Sequence, residues 1–389
     1  MIKFLCASTY EIDNVDLAVS EILEQLDLEK NALKHSVALL TCFPEFIQSG
    51  VLSAICEALP FDTIGTTTVA AATTGKVGAL ILSISVLTSD DAQFVAVNSD
   101  EITSKDADSL LSEAYSAALA KLDGVKPALM LTYGPLLVSL SGEDLVDKLN
   151  EITNGLPIYG TISLDHNEDY HEATTIFNGE VSATKLAFLL IGGNDINPSF
   201  GVATISPERI RDAKATVTEA ADNILKSVNN ISVYDYFKSL GLVSPSGVVD
   251  GINVIPFVLD YKDGTEPVVR AIFMISPDGH AVCGGNIPIG SSLSIGSLDR
   301  DDILATTGKV VASNIVPSKN NVVLLFSCLA RNLALGTDNL AEMQVIEKLL
   351  QNRKYHFSYS GGEICPVYDS ANKKWVNRFH NETITYCLI

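Results

Sequence analysis

Val323-Leu-Leu-Phe-Ser-Cys328 is a run of four apolar residues ending in a hydroxyl and a thiol, and the chain carries two more like it. They are Val37-Ala-Leu-Leu-Thr-Cys42 and Ala128-Leu-Met-Leu-Thr-Tyr133. Apolar runs without alternation suit strands buried on both faces. Outward from each run, apolar residues recur at helical spacing. They are Val51, Leu52, Ile55 and Leu59, then Leu145, Val146, Leu149 and Ile152, then Leu340, Met343, Ile346, Leu349 and Leu350. Ser141 stands where its side chain caps the first turn of the second helix. Each helix leads to a hydroxyl-rich return segment: Ile64-Gly-Thr-Thr-Thr68, Tyr159-Gly-Thr-Ile-Ser163 and Phe357-Ser-Tyr-Ser-Gly-Gly-Glu-Ile364. The spacing fits a strand–helix–parallel-strand crossover of about 30 residues, so one unit is expected three times. Aligned on Thr41, Thr132 and Ser327, the units should bring their polar ends to the carboxyl edges of sheets, where open α/β sheets bind ligands.

Between the crossovers the pattern changes to short β-rich runs, with turn signals at Asn178-Gly179, Asp222-Asn223, Asp263-Gly264 and Asp278-Gly279. The expected class is α/β. Repeated strand–helix–strand crossovers and antiparallel hairpins should form mixed sheets covered by helices, in two related halves. The linker-like Ser244-Pro-Ser-Gly247 suggests a division into 1–240 and 241–389.

Composition narrows the partners. The 389 residues are 47% hydrophobic, which gives ample material for burial, and carry a net charge of -21. No basic patch is present to neutralise phosphates, so nucleic acid is not an expected partner. The longest apolar stretches fall short of the roughly 20 residues a membrane span needs, and the N-terminus lacks a signal-peptide pattern. Cysteines 6, 42, 56, 283, 328, 365 and 387 are odd in number and scattered, without zinc or redox spacing. A cytoplasmic protein with buried free thiols is the expectation.

Three motifs in the last third of the chain carry a resemblance. Phe326-Ser327-Cys328 ends a strand and is followed by Arg331. Phe357-Ser-Tyr-Ser-Gly-Gly-Glu-Ile364 comes about 30 residues later, and His380-Asn381-Glu382-Thr383 opens the last strand. Their order and spacing are similar to the C-terminal domain of the FIST family (F-box and intracellular signal transduction). Phe357 stands where that family usually has glycine, and Gly361 where it has tyrosine or a similar residue. Gly65-Thr66-Thr67-Thr68-Val69 resembles, without its glutamate, the first glycine-led segment of the FIST N-terminal domain. Gly160-Thr161-Ile162-Ser163-Leu164-Asp165 resembles the second. Asn178-Gly179-Glu180-Val181 and the stretch from Lys214 to Phe237 are also similar, so the likeness covers roughly residues 35 to 389. It implies a sensory domain that binds a small polar metabolite, such as an amino acid, and relays this to a signalling partner. Some relatives are haem-based gas sensors.

Several side chains suit a small polar ligand. Arg331 offers a planar fork for a carboxylate, and Glu363 an acceptor for an ammonium. Ser327, Tyr359 and Ser360 supply hydroxyls, while Gly361 and Gly362 let backbone amides approach. Cys328, His380, Asn381, Thr66, Thr161 and Asp165 complete the candidate set. Two alternatives stay open. Cys328 is a candidate nucleophile of a thiol-dependent hydrolase or transferase, with His380 as the motif histidine. Histidines 35, 280, 356 and 380 are candidate haem ligands, without an attachment motif. His166, Asp169 and His171 share a polar stretch that a solvated loop explains as well as a metal does, and no metal is expected. The cofactor, the ligand's identity and the oligomeric state are not legible.

Overall fold

The computed structural model describes residues 1–389 except 138, 168, 212, 213, 250 and 352. Three units of one plan follow each other: strand, helix, strand, helix, strand, hairpin, strand. The first holds β1 (Lys3–Thr9), α1 (Val15–Leu26), β2 (His35–Cys42), α2 (Val51–Ala58), β3 (Thr63–Thr67), the hairpin β4 (Ala71–Thr73) and β5 (Lys76–Gly78), and β6 (Leu82–Ser89). The second holds β7 (Gln93–Asn98), α3 (Ala107–Lys121), β8 (Pro127–Gly134), α4 (Gly142–Thr153), β9 (Ile158–Ile162), the hairpin β10 (Thr175–Phe177) and β11 (Glu180–Ser182), and β12 (Ala187–Gly192). The third opens with β13 (Ser199–Ala203). It resumes with α5 (Arg300–Val310), β14 (Val323–Cys328), α6 (Leu329–Ala334) and α7 (Ala341–Leu350). It closes with β15 (His356–Ser360), the hairpin β16 (Glu363–Asp369) and β17 (Lys374–His380), and β18 (Ile384–Leu388). Between β13 and α5 the chain builds a fourth, antiparallel sheet from strands lying between Ala215 and Ile295. Residue 240, where the sequence suggests a division, lies within the span of that sheet.

The three main sheets run β1-β6-β2-β3-β10-β11, β7-β12-β8-β9-β16-β17 and β13-β18-β14-β15-β4-β5. In each, the crossover pair is parallel, as its spacing predicts. The outermost two strands are always the hairpin of another unit. The first unit lends its hairpin to the third sheet, the second to the first sheet, and the third to the second. Asn178 and Gly179 both take positive φ in the turn between β10 and β11, as the Asn-Gly signal requires.

Burial on two faces explains the apolar runs. Leu39, Leu131 and Phe326 meet in one core enclosed by all three sheets, where Tyr159 stacks on Phe326 with centroids 5.2 Å apart. Their neighbours Leu40, Met130 and Leu325 point the other way, into three separate cores under the helices. Each such side chain contributes about 1.5–3 kcal/mol. This parity corrects the hydroxyl alignment. Thr41 follows Leu39 by two residues and faces inward, whereas Thr132 and Ser327 follow by one and face the helices. The last inward residues of the three strands are Thr41, Tyr133 and Cys328. Matching residue types had hidden the difference in face.

The polar ends do converge. Leu164 N donates to Thr67 O (3.3 Å), Gly361 N to Ile162 O (3.0 Å), and Thr68 Oγ1 to Tyr359 O (2.8 Å). The ends of β3, β9 and β15 thus form a closed triangle of hydrogen bonds.

Candidate functional site

The hydroxyl and carboxyl candidates from the first two units hold this triangle together. Thr66 Oγ1 donates to Thr174 O at 3.1 Å, and Thr161 Oγ1 to Ser360 Oγ at 2.6 Å. Ser360 Oγ in turn donates to Gly362 O at 2.6 Å. Asp165 accepts from the backbone N–H of Asn167 and Glu172 at 2.7 and 2.5 Å, folding the loop after β9. Gly361 and Gly362 are packing positions: a Cβ on Gly362, whose φ is +152°, would stand 2.2 Å from the Phe379 ring.

Arg331 sits on α6, directly after β14, and is fully buried. Its partner is Glu342 on α7, which the sequence reading did not single out. Arg331 Nε and Nη2 donate to Glu342 Oε1 at 3.0 and 2.7 Å, and Nη2 also donates to Thr307 Oγ1 and Ile303 O. Ser327 Oγ donates to the second oxygen of Glu342 at 2.9 Å. The pair therefore ties α5, α6 and α7 to β14. One donor nitrogen of Arg331, Nη1, has no partner. The Tyr359 hydroxyl lies on this same helix-facing side, near Asn332 and Glu342.

Glu363 opens β16, opposite Thr161 on one side and His380 on the other. Its Oε2 accepts from Thr383 Oγ1 at 2.7 Å, and Oε1 has no hydrogen bond. Burial pushes its pKa well above the carboxylate range, while Thr383, Ser360 and the Arg331 charge pull weakly the other way. Glu382, next to the motif residue Asn381, was outside the sequence-based set. It adopts the left-handed conformation (φ 53°) in the turn between β17 and β18, fully buried, with neither carboxyl oxygen bonded. Burial raises its pKa to about 8, opposed by Arg331 alone. Asn381 Oδ1 is also buried and unbonded. A Cβ on Gly284, from the fourth sheet, would stand 2.4 Å from that oxygen, so a bare glycine lets the two bodies close.

Cys328 and His380 do not make an activated pair. Burial and the neighbouring Glu363 hold the Cys328 thiol well above its usual pKa. His380 Nε2 must donate to Cys365 O (3.1 Å), and burial lowers the ring's pKa to about 3. His356, hydrogen-bonded to Ser85 Oγ at 3.0 Å, is lowered to about 4 by burial. His171 pairs with Asp169 at 2.7 Å on the surface, and His166 stacks on Phe43. Among the described residues no group of three His, Cys, Asp or Glu side chains is arranged to hold a metal.

Two open cavities lie away from this corner, one of about 760 Å³ beside Lys3, Lys319 and Arg353, the other of about 660 Å³ beside Tyr115 and Asn154. Among the described residues no helix is long and apolar enough to cross a membrane.

Comparison with known proteins bears on the whole chain. No curated protein matches it. A solved cyanuric acid hydrolase from A. caulinodans aligns over 100% of this chain and 98% of its own, with a TM-score of 0.38 and 7% identity. That likeness is too slight to support any argument. Two family models match instead: FIST N domain over residues 36–231 and FIST C domain over 220–366. FIST domains are sensory and signalling domains. Since the first match alone spans half of the chain and the second continues it, this protein belongs to the FIST family.

Proposed function

We propose that this protein is a ligand-sensing module whose site is the corner formed by Arg331, Glu363 and the Asn381–Glu382 turn. The observation that carries this reading is Glu382: a fully buried carboxyl with both oxygens unbonded, beside three further unbonded atoms, Glu363 Oε1, Asn381 Oδ1 and Arg331 Nη1. Buried polar atoms are ordinarily paired, and each unpaired one costs about 1–3 kcal/mol. Unbonded polar atoms occur elsewhere too, at the hydroxyls of Thr41, Thr132 and Ser358 and at Glu45 Oε2, but Glu382 has both carboxyl oxygens unbonded. A small polar metabolite brings the missing partners, and an amino acid suits the arrangement, with its ammonium at the carboxyls and its carboxylate at Arg331 Nη1.

Relay to a signalling partner runs through the fourth sheet in this reading. Arg270 of that sheet donates to Phe379 O at 2.8 Å, forms a buried ion pair with Glu143 on α4, and lies beside the loop whose Gly284 rests on Asn381. A ligand that shifts the 379–382 segment shifts these contacts. Seven unpaired cysteines favour a reducing, cytoplasmic setting.

A thermal-shift screen of the purified chain against a broad metabolite panel tests the reading. A ligand at a hundred times its Kd adds about 2.7 kcal/mol to folding, which moves the melting temperature measurably. Folded protein that no panel member stabilises would refute it.

A further inference from the structure

We infer that the obligatory recognition element of this site is a positively charged group on the ligand, an amine or guanidine, and that a ligand carboxylate is dispensable. The inference rests on the proposed site and names its ligand class.

Charge placement carries it. Arg331 from α6 bonds Glu342 from α7, and its charge reaches Glu363 from β16 and Glu382 from the β17–β18 turn without a hydrogen bond to either. Glu342 engages Arg331 at two of its nitrogens, and Ser327 and Thr307 donate to the same carboxylate. Arg331 is therefore already matched, leaving Glu363 and Glu382 buried without a cation. Among the described residues Arg331 is the positive group whose charge acts on them. Cys328 at the end of β14 is a thiol and Tyr359 a phenol, both pushed up by burial, and His380 is neutral. An anionic ligand meets one unbonded guanidinium nitrogen, whose charge Glu342 already compensates. A cationic one meets three unbonded carboxyl oxygens and the Asn381 carbonyl oxygen. Buried carboxyls without a cation stay protonated, and this pair is held so by burial. An arriving ammonium displaces those protons into solvent, so binding releases protons and tightens as pH rises towards about 8.

The full-length chain is titrated calorimetrically with butylamine, 1,4-diaminobutane and agmatine, with neutral butanol and butyramide, and with succinate. Each titration is run in two buffers of different ionisation enthalpy and from pH 6 to 8. The expected result is binding of the amines or agmatine at least about 30-fold tighter than the neutral isosteres, the usual scale for losing one partner of a buried charged pair. Protons should be released, and affinity should rise up to about tenfold per pH unit. Glu382→Gln, which keeps the shape of the protonated side chain, should fold, lose most of the amine preference and show a flatter pH response. Glu363→Gln serves the same purpose should the first variant fold poorly. Binding of succinate but of no amine overturns the inference and leaves the proposed site standing. So does amine binding without proton release. A panel in which nothing binds, together with a silent metabolite screen, removes both.

Discussion

Thr175 and Glu363 hold the same place in the architecture, yet their chemistry differs. Each opens an exchanged hairpin, and each pairs with a threonine of a return strand, Thr66 and Thr161 respectively. Thr175 Oγ1 closes back on its own hairpin, donating to Ser182 O and Lys185 O. Glu363 Oε2 instead accepts from Thr383 Oγ1, beyond the hairpin, and Oε1 stays unbonded. The lesson is that one backbone plan supports a purely structural corner and a chemical one. The difference rests on a few side chains.

The strongest test of this contrast is removal of the third unit's anchor. Arg331→Ala leaves Glu342 buried and alone, and should cost about 3–5 kcal/mol in chemical denaturation. A loss under about 1 kcal/mol would mean that the corner is not held by this pair.

Next in size is the pH profile. Glu363 and Glu382 have folded pKa values raised from 4.5, so their stability is complete below that value and is lost as pH rises, for Glu382 through about 8. His356 and His380 are lowered from 6.5 to about 4 and about 3, so their contribution holds above 6.5 and is lost as pH falls. Stability should therefore be broadest between about pH 4.5 and 6.5 and decline towards pH 8. Glu382→Gln should regain roughly 2–4 kcal/mol at pH 8.5 while changing little at pH 5. An equal effect at both values would place the carboxyl outside the linkage.

A smaller effect is expected where the fourth sheet meets the corner. Gly284→Ala puts a methyl against Asn381 and should cost about 1–3 kcal/mol, with weakened ligand response. Smallest is the structural corner itself: Thr175→Ala removes hydroxyl hydrogen bonds worth about 0.5–1.5 kcal/mol and should leave ligand response intact. Loss of response in that variant would erase the distinction between the two corners.

Much of this was legible because it is local. The crossovers show in apolar runs and helical spacing, and the Asn178-Gly179 turn in a dipeptide. The triangle of polar ends followed from counting equivalent segments. Hairpin exchange was not legible, since nothing local in Ala71–Thr73 marks His356–Ser358 as its partner. Glu342 is not legible because a glutamate in an amphipathic helix looks solvated, yet here it is buried. The motif His380–Thr383 reads as the opening of the last strand, whereas the positive φ of Glu382 places it in the preceding turn. The alignment of Ser327 with Thr41 fails on parity, since a hydroxyl one residue along a strand faces the opposite side.

The exchange of hairpins also sets an order of assembly during synthesis. The segment from Ala71 to Gly78 leaves the ribosome early, but the strand it docks on begins at His356. The second sheet likewise lacks its outer strands until Glu363 to His380 have been made. The first sheet is complete once Ser182 has been made, whereas the second and third stay open until strands from Val323 to Leu388 reach them, so a ribosome that stalls midway leaves those edges on display.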